Sequence, residues 1–149
     1  MKKLIFSAVF AISFAMSAFA INPNNVDDKV LKSFNETFAG ATQVSWTQVA
    51  NHYEAFFISG DVKTRALLDH KGRILQTIRY YGKELLPASV ADAVTENYKN
   101  KEIFAITEVQ NKYGTNYRIV LKDQKQYLHL NANSKGDIEV AKVFNRGDQ

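Results

Sequence analysis

The sequence has 149 residues, contains no cysteine, and carries 19 Lys and Arg against 15 Asp and Glu, which gives a formal net charge of +4. This length predicts a single compact unit or two tightly joined halves, and the absence of cysteine excludes a disulfide framework and a thiol nucleophile. The charge is nearly balanced and forms no basic block, which argues against nucleic acid or an anionic membrane surface as a partner.

Residues 1–20 have the features of a cleaved signal peptide. A short positive start with Lys2 and Lys3 precedes an apolar run, and Ala18-Phe19-Ala20 places small residues where a signal peptidase cuts. A transmembrane anchor is the poorer interpretation, because crossing a bilayer takes about 20 apolar residues and this run is barely that long. We therefore expect a mature chain with a net charge of +2, located in the periplasm or secreted, with no membrane insertion after cleavage.

The first half of the mature chain, residues 21–81, is predicted to be one helix followed by an antiparallel meander. Asn25 is a plausible N-cap, and Gly40 is predicted to end the helix. Asp69-His70-Lys71-Gly72 is predicted to form a tight turn between two strands. The apolar positions at helical spacing are Val26, Val30, Leu31, Phe34 and Phe38, and the alternating segments that predict strands are 42–47, 53–58, 62–68 and 73–80.

The second half, residues 82–149, has the same pattern. Pro87 opens a helix, and Gly114 and Gly136 lie at predicted turns. Its apolar stripe is Val90, Val94 and Tyr98, and its predicted strands are 102–109, 117–122, 126–131 and 137–144. When the sequence is shifted along itself, the two apolar stripes align and so do the two turns, apart from a small insertion at residues 112–114. The pattern predicts an internal duplication, so we expect an α+β fold of two tandem repeats that pack against each other.

These residues also resemble a known family. Phe38-Ala39-Gly40-Ala41, Val44-Ser45-Trp46, Tyr53-Glu54-Ala55-Phe56-Phe57 and Leu86-Pro87 are similar to motifs of the PepSY-like, beta-lactamase-inhibitor-like proteins of Bacteroidetes. The resemblance implies a secreted or periplasmic helix-plus-sheet module, similar in architecture to the tandem beta-lactamase inhibitor protein (BLIP). BLIP carries disulfides and this chain has none, and since fold does not determine function, no inhibitory residue is carried over.

No set of residues has the pattern of a catalytic or metal site. His52, His70 and His129 are scattered over different predicted elements, whereas a metal needs several converging ligands. No serine lies in a nucleophile elbow. Glu54 is an acid within an apolar strand, and a solvent-facing side chain is its simpler interpretation. We therefore expect a protein that is not an enzyme and has no cofactor and no bound metal.

The sheet face that points away from the helices is the candidate binding surface. Period-2 alternation places apolar and aromatic residues beside cations on this face, as in protein-binding surfaces. The candidate residues are Phe56, Ile58, Lys63, Arg65, Leu67, Arg118, Tyr127 and His129. An equally good interpretation is that part of this face packs between the two halves.

Two hypotheses of function follow from this pattern. The leading one is an unidentified protein or peptide partner on the candidate face, bound as an inhibitor-like module would bind it. The alternative is a small-ligand sensor with a pocket between helix and sheet, lined by Phe34, Trp46 and Tyr53. Trp46 alone could also be an exposed anchor, but its counterpart in the second half is Ile106, which favours a core position.

Overall fold

The computed structural model describes residues 19–147, so most of the predicted signal peptide, residues 1–18, lies outside the described residues. The two α-helices are α1 (Asp28–Thr37) and α2 (Ala88–Asn97), and each follows a short 3-10 helix, at Pro23–Asn25 and Lys83–Leu85. The strands are β1 (Phe19–Ile21), β2 (Thr42–Val49), β3 (His52–Ser59), β4 (Val62–Asp69), β5 (Ile74–Tyr81), β6 (Glu102–Asn111), β7 (Gly114–Lys122), β8 (Gln126–Asn133) and β9 (Ile138–Asn145).

The strands form one antiparallel sheet in which they follow each other in chain order, from β1 to β9. The first and second halves of the chain join edge to edge, because β5 pairs with β6 from Gln76 opposite Asn111 to Tyr81 opposite Ile106. The predicted α+β class with antiparallel meanders is confirmed. A 3-10 helix, an α-helix and four strands occur twice in succession, but the duplication itself stays a prediction, as do the boundaries 21–81 and 82–149.

Helix α1 differs from its predicted limits at both ends. Pro23–Asn25 forms a 3-10 helix whose N-cap Asn22 accepts a hydrogen bond from the Asn24 amide, and Val26 is extended. The N-cap of α1 is therefore Asp27 and not Asn25. The last turn closes at Phe38, whose amide donates to the carbonyl of Phe34, before Gly40 is reached. No helix among the described residues is both long and apolar enough to cross a bilayer.

Both helices lie on the same face of the sheet. Val30 and Phe34 of α1 pack on the buried side chains of β2, β3 and β4, and Val90 and Val94 of α2 pack on those of β6, β7 and β8. The same face continues from the first half into the second, where β5 pairs with β6. Four residues in one row across β4 to β7 are successive partners: Thr64, Arg79, Glu108 and Tyr117. We call this the helix face and the opposite side the open face.

The β4–β5 turn forms as predicted. The Asp69 side chain accepts hydrogen bonds from the amides of Lys71 and Arg73, both at 2.9 Å, and Gly72 has a positive φ of 80°. Such side-chain bonds to the following backbone are the reason why Asp and Gly favour turns.

Candidate partner-binding surface

All eight predicted surface residues lie on the open face. In β3 and β4, Phe56 is opposite Arg65, and Ile58 is opposite Lys63. These residues alternate with buried ones such as Phe57 and Ala66 that contact the helix side. The full set on this face is Phe56, Ile58, Lys63, Arg65 and Leu67 from the first half, and Arg118, Tyr127 and His129 from the second. Because the halves join edge to edge, no part of the described chain covers this face.

Tyr80 connects the two groups, and the sequence did not reveal it. The register places Lys63, Tyr80, Thr107 and Arg118 in one row across four strands, and the Tyr80 side chain is 38% exposed. The β4–β5 pair contains a β-bulge between Leu67 and Leu68. The extra residue reverses the alternation of faces along β5, so counting every second residue from the turn puts Tyr80 on the wrong face. The predicted residues therefore belong to one continuous surface.

Arg65 is held in place on this surface by an ion pair and an aromatic ring. Its Nη2 donates to both carboxylate oxygens of Glu54 at 2.9 Å, and its guanidinium lies 4.8 Å from the centre of the Phe56 ring. The pKa of Arg65 is raised: burial acts against the charged form, but hydrogen bonds to Glu54 and Tyr80 together outweigh it. Glu54 is therefore the partner of a fixed cation rather than a candidate general base.

A second aromatic cluster lies at the other end of the open face. Phe104 is 56% exposed, and its ring lies 5.7 Å from that of Tyr127. The Lys122 ammonium is 4.8 Å from the Phe104 ring, and the Arg146 guanidinium is 5.5 Å from the Tyr127 ring. Phe104 was missed because it occupies a β-bulge between Ile103 and Ala105, where strand alternation fails.

The outermost strand extends this cluster. The Phe144 ring on β9 lies 4.9 Å from the His129 ring and 4.5 Å from the Lys142 ammonium. Cations over exposed aromatic rings contribute modestly in isolation, about 0.5–1 kcal/mol. Their repetition gives the open face a basic and aromatic character from β3 to β9. Aromatic residues and Arg are also the residue types that contribute most to protein interfaces.

On the helix face, a buried ionic cluster stabilises the join between the halves. The Glu108 carboxylate accepts hydrogen bonds from Arg79 at 3.0 Å and from the Tyr81 hydroxyl at 2.6 Å. Burial, followed by the hydrogen bond to Glu108, raises the pKa of Tyr81 well above its usual value. Burial also raises the pKa of Tyr117 beside them. Glu108, Arg79 and Tyr81 are thus bonded to one another, so the cluster serves packing of the two halves.

The histidines do not converge. His70 bonds to the Asp27 carboxylate through Nδ1 at 2.8 Å, while His52 and His129 lie on β3 and β8. Within residues 19–147, no group of three His, Cys, Asp or Glu side chains is placed to hold a metal ion.

The alternative pocket predicted between helix and sheet is filled by its own side chains. The rings of Phe34 and Trp46 are 5.0 Å apart in an edge-on contact, and Trp46 is only 4% exposed. Tyr53 is buried in the same cluster. Such close ring packing is typical of a protein core and counts against a pocket lined by these three residues, while the sensor hypothesis itself stays a prediction. The prediction of Trp46 as a core residue is confirmed.

Comparison with known proteins defines the fold. No protein-family model matches the sequence, and no curated protein matches it. Among solved structures, a BLIP-like protein from Bacteroides fragilis is 18% identical with a TM-score of 0.64, over 80% of this chain and 87% of that one. A DUF2874 family protein from Bacteroides ovatus is 20% identical with a TM-score of 0.61, over 79% and 86%.

A third similar structure comes from Bacteroides eggerthii and carries a provisional periplasmic assignment. It is 18% identical, with a TM-score of 0.61 over 80% of this chain and 88% of that one. Identities this low establish the fold alone. The chain therefore has the fold of BLIP-like and DUF2874 proteins of Bacteroides, which confirms at the level of fold the resemblance found in the sequence.

Proposed function

We propose that this chain is a non-catalytic periplasmic module that binds a protein or peptide partner on its open face. The observation that carries the proposal is the continuous surface of partly exposed aromatic rings and cations from Phe56 to Phe144, which no described part of the chain covers. A sheet face that only meets water is expected to be polar. The row through Lys63, Tyr80 and Arg118 makes one surface of the two halves.

The location and the architecture support this function. The signal-like residues 1–20 and the provisional periplasmic assignment of a protein with the same fold favour export. The BLIP-like fold of the Bacteroides fragilis protein favours a protein partner over a substrate. We also infer that the two halves arose by duplication, because equivalent elements recur in the same order; such a duplication would give the module a long sheet able to contact an extended surface.

Photo-crosslinking from the two faces tests the proposal. A benzoylphenylalanine would replace Phe104 on the open face, or Val140, whose 53% exposure nearly equals the 56% of Phe104. Val140 pairs with Leu130, so it lies on the helix face. In living cells we expect a defined protein adduct from position 104 and none from position 140, with the partner identified by mass spectrometry.

The identified partner would then be purified and titrated calorimetrically against the wild-type chain. Phe104→Ser and Tyr80→Ser are expected to weaken binding about tenfold or more, as hot-spot residues do, while Val140→Ser leaves affinity unchanged. Adducts that form equally from both faces, or an affinity that Phe104→Ser and Tyr80→Ser leave intact, would contradict binding at the open face.

A further inference from the structure

A groove of about 600 Å³ lies on the helix face, between α1 and the join of the two halves. Its floor is β5, where Tyr81 is the one residue that belongs to the buried core. Helix α1 covers β2 to β4 and α2 covers β6 to β8, so the strand between them stays open. The groove's volume lies within the range of small-molecule sites, and such sites favour the boundary between structural units.

The lining of the groove has an asymmetric chemistry. None of its fourteen residues is acidic, two are basic, and seven carry hydroxyl or amide groups. Arg79 is already bonded to Glu108. Lys112 forms no ion pair with a described residue, and its ammonium lies 4.8 Å from the exposed Tyr113 ring. The uncompensated charge at the groove is therefore the positive charge of Lys112.

The opposite wall is apolar. Phe38 at the end of α1 and Phe57, Val62, Ile74 and Leu75 in the sheet provide it. Ile74 is 37% exposed, so a hydrocarbon chain laid along this wall would remove apolar surface from water. The free energy gained rises with the apolar area buried.

Lys112 reaches the groove through the small insertion at residues 112–114. Strand β6 has ten residues against eight in β2, its counterpart in the first half. The added length brings the β6–β7 turn beside the start of β5, where Asn111 pairs with Gln76. Tyr113 at the tip of this turn is 83% exposed, so the insertion adds nothing to the core.

We propose that this groove binds a small carboxylate that carries an apolar chain. Lys112 attracts the carboxylate, the neighbouring amide of Gln110 donates a hydrogen bond to it, and the chain lies on the wall formed by Phe38 and Ile74. The absence of acidic residues from the lining disfavours a cationic ligand. A free fatty acid and the C-terminal residue of a short peptide share this chemistry.

Isothermal titration calorimetry of the purified chain tests the proposal with three probes. Decanoate, below its micelle concentration, represents the fatty acid. An acetylated tripeptide that ends in leucine with a free carboxylate represents the peptide, and decyltrimethylammonium carries a similar chain with the opposite charge. We expect decanoate, the tripeptide or both to bind and decyltrimethylammonium not to bind; which of the first two binds more tightly identifies the source.

Three variants locate the site. Lys112→Glu is expected to weaken binding of the carboxylate about tenfold or more, and Thr77→Trp, which fills the groove from β5, to abolish it. Lys135→Glu makes the same charge change at an exposed turn outside the groove and is expected to leave binding unchanged. Absence of binding by both carboxylates, equal binding of decyltrimethylammonium, or binding that survives both groove variants would overturn the proposal. The result is independent of the open face, which lies on the other side of the sheet.

Discussion

The backbone of Gly72 lies directly against the carbonyl group of Lys29 in α1. A Cβ atom built on Gly72 would fall 2.6 Å from that oxygen, and the Ser33 hydroxyl donates a hydrogen bond to the Gly72 carbonyl at 2.6 Å. The same contact occurs in the second half, where a Cβ on Gly136 would fall 2.6 Å from the carbonyl oxygen of Ser89. In each half, a glycine turn thus fixes how closely the helix approaches the sheet.

Gly72→Ala is expected to destabilise the fold by more than about 2 kcal/mol. The φ of 80° alone costs an L-residue about 1–2 kcal/mol, and the backbone oxygen of Lys29 cannot move away without displacing the helix. Gly60→Ala is the matched control, since Gly60 has a φ of 58° and no atom within 4 Å of its Cβ position. Urea unfolding of both variants measures the difference, and equal losses of stability would show that the contact with Lys29 is unimportant.

The cluster at the join of the halves leads to a second prediction. Glu108→Leu is expected to cost about 2–3 kcal/mol, because the buried Tyr81 hydroxyl loses its acceptor and Arg79 loses its counterion. Adding Tyr81→Phe removes the orphaned hydroxyl, so the double variant should be less destabilised than the sum of the two single variants. Urea unfolding of the four proteins of this cycle measures the coupling, expected at about 1 kcal/mol or more. Strictly additive losses would rule out a structural role for this hydrogen bond.

Much of the fold could be predicted because several local patterns agree. The stripe through Val30 and Phe34 marked the buried side of α1, and Asp69 to Gly72 marked a turn. The edge-to-edge join could not be predicted, because pairing of β5 with β6 depends on contacts between distant residues that leave no local pattern. The start of α1 was misplaced because Asn25 and Asp27 are both good N-cap types, and Pro23–Asn25 forms a separate 3-10 helix before α1 begins.

The residues of the candidate surface could likewise be predicted only in part. Regular alternation placed Phe56, Arg65 and Tyr127 on the correct face. The alternation did not place Phe104 and Tyr80 correctly, because a β-bulge in each strand pair changes which residues point to the same side of the sheet. The ion pair of Glu54 with Arg65 joins diagonal neighbours on two adjacent strands, since Arg65 is opposite Phe56 and Glu54 is opposite Leu67. It can therefore be predicted only when the register is known.

Asp123 predicts a specific acid dependence of stability. The hydrogen bond from the Lys101 ammonium, followed by those from the amides of Lys125 and Gln126, lowers the pKa of Asp123 to about 2. A carboxyl whose pKa is depressed in the folded state stabilises the fold above its unfolded pKa, about 3.9. This stabilisation is lost as the pH falls from about 4 to 2.

The Asp123→Asn variant isolates this effect, because its amide cannot titrate while its oxygen can still accept the backbone hydrogen bonds. We expect the wild-type protein to be the more stable of the two at pH 7, and the difference to shrink as the pH falls from 4 to 2. Thermal unfolding across this range measures both proteins. A difference that is constant with pH would show that the Asp123 charge does not contribute. Asp69, whose pKa is also lowered, titrates in both proteins and cancels from the comparison.

The aromatic core of the first half carries the last prediction. Phe34 is 3% exposed, and its ring lies within 5.4 Å of the rings of Phe38, Trp46 and Phe57. Phe34→Ala is expected to cost about 3–5 kcal/mol, because it removes buried apolar surface and leaves a cavity that neighbouring rings cannot refill. Since a domain has about 5–15 kcal/mol of total stability, this one change takes a large fraction of it.

Trp46 reports on this prediction directly, as the sole tryptophan. In the wild-type protein its emission should be blue-shifted and weakly quenched by iodide, because it is buried beside Phe34. In Phe34→Ala the urea midpoint followed by this fluorescence should fall sharply, and iodide should quench more. Phe104→Ala removes the same ring from an exposed site and should change stability by about 0.5 kcal/mol or less. If both substitutions cost the same, or if iodide already quenches Trp46 in the wild-type protein, the rings do not form a packed core, and the sensor pocket between helix and sheet would have to be reconsidered.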